Sequence, residues 1–195
     1  MSRALWTSLL ILVAGSRTGC ITTQTFVDPQ YHKAGYESLQ RISQPVPVKV
    51  DVEFQRNGQP LPAADNELRG HVERTLRATG VLLPAADSGQ ATIKVIGNNI
   101  ADLGAAKAAG FKTGLTFGGA GSVVADNYEF TCTYKGAAQE KSFSYQHALH
   151  TTIGNAKGPA GLAPTTPADG FARVVEDVIL NFVKDLQDSG VLPKQ

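Results

Sequence analysis

A chain of 195 residues, 42% hydrophobic and 18% charged, is too apolar to stay disordered and about long enough for one domain behind a short leader. Its formal net charge of +1, with Lys and Arg scattered along the chain, supplies no field that would gather nucleic acid, and no nucleic-acid partner is expected. Two cysteines, Cys20 and Cys132, exclude a Cys-rich zinc site and a dense disulfide framework.

Arg3 and the apolar run from Leu5 to Ala14 form a basic start and a hydrophobic stretch too short for the roughly 20 residues that cross a bilayer. Residues 1–19 therefore read as a signal peptide. Two exits compete. Val13-Ala14-Gly15-Ser16 resembles an ordinary signal-peptidase site, which would release a soluble exported protein. Thr18-Gly19-Cys20 resembles the end of a lipobox, whose cysteine becomes the lipidated first residue of the mature chain. Arg17, and the lack of a Leu three positions before the cysteine, depart from that pattern. Lipidation of Cys20 is the favoured reading, because a cysteine just after an apolar leader is otherwise unexplained; a Cys20 to Cys132 disulfide is the alternative. By resemblance to enterobacterial sorting, Ile21 after the cysteine implies an outer-membrane lipoprotein facing the periplasm.

Residues 20–45 show no sustained period and are expected to form a lipid-anchored tether, with Phe26, Tyr31 and Tyr36 able to dock part of it. The domain is expected over 46–192. Val46, Val48, Val50, Val52 and Phe54 alternate with Pro47, Lys49, Asp51 and Glu53, as in a strand with one wet face. Asn57-Gly58 supplies a turn. Asp65 is placed to cap a helix with Leu68, Val72 and Leu76 on one face, ending at Gly80. A second strand follows over 91–97, and the helix between the two suits a parallel crossover.

An unusual Gly/Ala-rich insertion occupies 101–125. Its segment Gly110, Phe111, Leu115, Phe117, Gly118 and Gly119 is a candidate contact surface, since small residues permit close approach, while an irregular hairpin packed on the sheet is the plainer alternative. It lacks the Gly-Lys-Ser or Gly-Lys-Thr of a phosphate loop. Tyr128, Phe130, Cys132 and Tyr134 alternate with polar residues, and Phe143, Tyr145, His147 and Leu149 do the same, as in a long antiparallel hairpin. Thr166, Pro167 and Asp169 mark a helix start, and Phe171, Val174, Val175, Val178, Phe182, Val183 and Leu186 give it an apolar stripe that would cover the sheet.

No catalytic, cofactor or metal site is expected. Cys132 with His147 or His150 would be needed for a Cys-His hydrolase, but the thiol faces the aromatic side of its strand and no orienting Asn or Asp is evident. His147 and His150 have opposite parity and point to opposite faces. The expected fold is α+β: a single small mixed sheet of about four strands, in the order strand, helix, strand, hairpin, helix, covered on one face by two helices.

That order, behind a signal and Cys20, resembles the small Gram-negative envelope lipoproteins with a compact α+β periplasmic domain. The resemblance is architectural and implies a membrane-tethered, non-enzymatic binding or assembly module, with an envelope protein partner or a homo-oligomer. Similarity to the curli-secretion-type lipoproteins would instead make the Gly-rich segment a membrane contact in an oligomeric secretion channel. A soluble exported hydrolase is the third alternative.

Overall fold

Val48, Val50 and Phe54 turn to the buried side of one strand, β2 (Val46–Arg56), in the computed structural model, which describes residues 22–86, 91–101 and 121–192. Helix α1 (Asp65–Thr79) buries Leu68, Val72 and Leu76 against this side and stops at Gly80, whose φ of 66° is the left-handed conformation a glycine end permits. Asp65 does not cap the helix. The residue at the cap is Ala64, and the Asp65 carboxylate accepts the Phe54 N–H at 2.7 Å, fastening the helix start to β2.

Strand β5 (Ala91–Ile100) pairs parallel with β2, Val50 opposite Ile93, which the crossover through α1 makes sterically simple. Strands β6 (Ser122–Lys135) and β7 (Glu140–Ile153) form the long antiparallel hairpin, and β6 also pairs with β5. Helix α2 (Pro167–Asp188) starts where Thr166 accepts the Asp169 N–H at 3.1 Å.

The expectation of about four strands is overturned, because the sheet has seven. The additional strands are β1 (Thr23–Val27), β3 (Gln59–Pro60) and β4 (Leu82–Pro84), which complete the order β1-β7-β6-β5-β2-β3, with β4 paired parallel to β2. All are short and marginal to the sheet, so none carries enough alternating residues to display a period of two. Among the described residues the helical elements are α1, α2 and three 3-10 turns.

Both α-helices pack on one face. Phe182, Val178 and Ile179 of α2 and Val72 of α1 close a core over Ile93, Val95 and Phe130, each such side chain contributing about 1.5–3 kcal/mol by its removal from water. Gly97 makes room for this packing, since a Cβ there would sit 2.7 Å from the Phe130 ring. The opposite face is polar, and no described helix covers it along β2, β5 and the hairpin, where Thr133 and Ser142 share a 2.9 Å hydrogen bond across the strands. Near β1 the loop after β7 crosses that face: Thr25 and Thr165 exchange backbone hydrogen bonds of 3.0 and 2.7 Å, and Gly158 lies against the Phe26 ring.

Candidate functional site

After β1 the chain turns at Asp28, whose carboxylate accepts the Gln30 N–H at 3.1 Å, and Pro29 opens a 3-10 turn (Pro29–Tyr31). β1 and β2 lie toward opposite edges of the sheet, so residues 28–45 cross the molecule as a strap, and they do so along α2. Asn181 accepts the Lys33 and Ala34 N–H groups at 3.3 and 2.9 Å and donates to the Tyr31 carbonyl at 3.1 Å. Gln187 accepts the Gln40 N–H at 3.0 Å and donates to the Gln40 carbonyl at 2.6 Å. Tyr36 donates to Glu176 at 2.7 Å.

Asp177, one turn before Asn181, joins the strap to the sheet. Its Oδ1 lies 2.6 Å from Nδ1 of His32, on the strap, and its Oδ2 lies 3.1 Å from Nε2 of His147, on β7. His147 is 1% exposed and its ring centroid is 5.1 Å from that of Tyr31. Its Nδ1 has two backbone neighbours on Ala148, the N–H at 2.9 Å and the carbonyl at 3.3 Å. The shorter contact makes Nδ1 an acceptor, which puts the proton on Nε2, where it is donated to Asp177. Burial raises the Asp177 pKa, but the hydrogen bonds from His147 and His32 outweigh it and hold the carboxyl below its usual 3.8. The same carboxylate pushes His32 above its usual 6.5.

With both ring nitrogens engaged, His147 has none left to accept a substrate proton. The Asp177 oxygens face two rings in different directions, and among the described residues no three His, Cys, Asp or Glu side chains are placed to hold a metal ion. In geometry the arrangement is a clasp: one carboxylate joins strap, helix and sheet. An open cleft of about 450 Å³ beside it is lined by Pro29, His32, Arg173 and Glu176 as well as Asp177.

The residues singled out from the sequence are dispersed. His147 and His150 do face opposite ways, His150 meeting Asp28 at 3.3 Å. Cys132 is fully buried on the helix side of β6, opposite Phe143, and burial pushes its thiol pKa far up, which suppresses the thiolate that a nucleophile requires. Cys20 and the segment Gly110, Phe111, Leu115, Phe117, Gly118 and Gly119 lie outside the described residues. The reach of Cys20 is nevertheless bounded, because three residue steps to Thr23 span at most about 11 Å. Thr23 pairs with Ile153, and Ile153 with Ser122. Cys132 is further along β6 from Ser122 by about 33 Å of strand, whereas bridged Cα atoms lie within about 7 Å of each other. A Cys20 to Cys132 disulfide would have to bridge that separation.

The clasp itself escaped the sequence reading. A signal was present, because Asn181 interrupts the apolar run from Val178 to Val183 and is 7% exposed. Among the described residues no helix is long and apolar enough to cross a membrane.

Among the described residues these elements define an α+β domain whose seven-stranded mixed sheet carries α1 and α2 on one face, with a strap clasped over α2. No family model matches the sequence, and no curated protein does. Among solved structures the chain is similar to two of the PelC dodecamer from Paraburkholderia phytofirmans, at 13% and 12% identity and TM-scores of 0.36 and 0.33; each comparison covers 86% of this chain and 98% of that one. It is also similar to a DUF4136 family protein from Bacteroides thetaiotaomicron, at 11% identity and a TM-score of 0.30, over 86% of this chain and 96% of that one.

Proposed function

We propose that the chain is an exported envelope lipoprotein, held to a membrane through Cys20, whose domain is a non-enzymatic binding or assembly module on the periplasmic side of the outer membrane. The observation that carries this reading is the separation of the two cysteines. The burial of Cys132 in the core weighs against the disulfide alternative for Cys20 and supports acylation of a cysteine placed just after an apolar leader, with ordinary cleavage near Ser16 as the competing exit. The same sealed thiol counts against the exported hydrolase. Intact-mass analysis of protein purified from membranes, beside a Cys20→Ala control, tests the reading. An acylated N-terminus at Cys20 is expected; an unmodified start near Ser16 would sink it.

Self-association is a second reading, favoured by the edge of β7. Paired with β1 only from Leu149 onward, β7 gives its Ala148 carbonyl to the Asp28 N–H, and Pro29 then turns the chain away. Alternation directs the backbone groups of Ser142, Ser144 and Gln146 to the same side. No described strand covers them, and a cleft of about 530 Å³ lined by Lys33, Ser144, Tyr145 and Gln146 opens there. Light scattering on the purified protein should find an oligomer that Ser144→Pro dissociates, since proline is tolerated at a free edge but blocks pairing. A wild-type monomer would remove this reading.

A further inference from the structure

We infer that the end of the sheet formed by the start of β1, the start of β6 and the loop after β7 rests directly on the headgroup surface of the bilayer, with no tether between anchor and domain. The inference depends on the acylation of Cys20 proposed above.

Chain length argues first. Only Ile21 and Thr22 separate Cys20 from β1, and Thr22 is already held, its carbonyl accepting the Gly154 N–H at 2.9 Å. An acylated Cys20 therefore brings Thr23 within about 11 Å of the lipid attachment point. The residues that follow β1 lengthen nothing, since they are strapped to α2 and return to the sheet at β2.

The second observation is charge. Among the described residues, 22–27, 121–125 and 151–168 build this end and contain one charged side chain, Lys157, although the chain holds 18 Lys and Arg and 17 Asp and Glu. At the opposite end the hairpin turn alone is flanked by Lys135, Glu140 and Lys141. A surface pressed on a bilayer loses water, which penalises ions and spares small neutral residues, and a single Lys suits a phosphate-bearing surface. Val123 is 55% exposed at this end, a large apolar residue left in water unless something covers it.

The test places one thiol at a time, Val123→Cys or Asn155→Cys at this end and Lys135→Cys at the other, in the full acylated protein. Each carries an environment-sensitive fluorophore, and the buried Cys132 does not compete for it. The protein is then reconstituted in phosphatidylethanolamine–phosphatidylglycerol vesicles containing headgroup-labelled quenching lipid. Val123 and Lys135 are about 40 Å apart along β6, more than a headgroup layer spans. Quenching is expected to be severalfold stronger at Val123 and Asn155 than at Lys135. Equal, weak quenching at all three in protein of confirmed acylated mass would overturn the inference and leave the Cys20 reading standing. Shielding of Val123 from aqueous iodide without lipid quenching would overturn it in favour of a second protein copy. Loss of acylation in the mass spectrum would overturn both readings.

Discussion

Replacing Asp177 with Ala removes the carboxylate that joins the strap, α2 and β7, and its cost can be built from the two hydrogen bonds lost. The His147 side chain is fully buried, so its Nε2–H would be left without an acceptor, at about 1–3 kcal/mol. His32 is 51% exposed, and solvent screening holds its share to about 1 kcal/mol or less. The sum, about 1–4 kcal/mol, is a large fraction of the stability of an ordinary domain and corresponds, at about 3 kcal/mol, to a melting temperature lower by roughly 6–12 °C. Asp177→Asn should cost less, because one carbonyl oxygen can still accept from one of the rings.

The pH dependence separates the two bonds. His32 has a raised pKa in the folded state, so its contribution is present in full below the usual 6.5 and is lost as pH rises through the folded value. Asp177 has a lowered pKa, so its contribution is present above the usual 3.8 and is lost as pH falls through the folded value. Urea unfolding followed by circular dichroism across this range should show wild type losing stability at both limits. Asp177→Ala should be flatter, and His32→Ala should lose only the alkaline limb. Amide exchange at Lys33 and Ala34 should quicken in Asp177→Ala. A cost below about 0.5 kcal/mol, with unchanged exchange in the strap, would refute the clasp.

Asn181→Leu leaves the buried Ala34 N–H without its acceptor and should lower stability by about 1–3 kcal/mol in urea titration, with faster exchange at that amide. Native Cys132 should resist alkylation by iodoacetamide and react only when denaturant opens the core, a contrast that mass spectrometry reads directly. Gly97→Ala drives a methyl group into the Phe130 ring and should cost about 1–3 kcal/mol in thermal melts. A chain beginning at Val46 lacks β1 and the strap, leaves Asn181 and Gln187 without their partners and should lose cooperative unfolding in calorimetry.

The long elements were legible because each repeats its signal. Five alternating apolar positions define β2, Thr166-Pro167 and seven apolar residues define α2, and two aromatic alternations define the hairpin. The strands that were missed are those whose stabilisation is not local. Thr23–Val27 pairs with residues more than 120 positions away, and β4 is three residues ending in Pro84. No window of neighbouring residues carries that information. The candidate site was hidden for a related reason: Asp177 reads as an ordinary residue on a helix, and its partners His32 and His147 come from sequence positions 145 and 30 away. Cys132 could be read, because its parity in a strand of aromatic residues decides its burial.

The strap also settles how force from an anchor would enter the domain. If the membrane held residues 20–45 as a free linker, motion of the domain would be absorbed there and the clasp would be irrelevant to anchoring. In the anchored protein proposed above, β1 would instead take the load first, through its five-residue pairing with β7 and the Thr25 to Thr165 bridge on its other side. The strap comes after β1 in the chain, and β1 and β2 are both held in the one sheet. Opening the Asp177 clasp would therefore loosen the cover over α2 without lengthening the connection to the membrane. In that proposed arrangement anchoring and clasping are separable, and a variant that releases the strap should destabilise the domain while leaving the proposed stance on the bilayer unchanged, for as long as β1 remains paired.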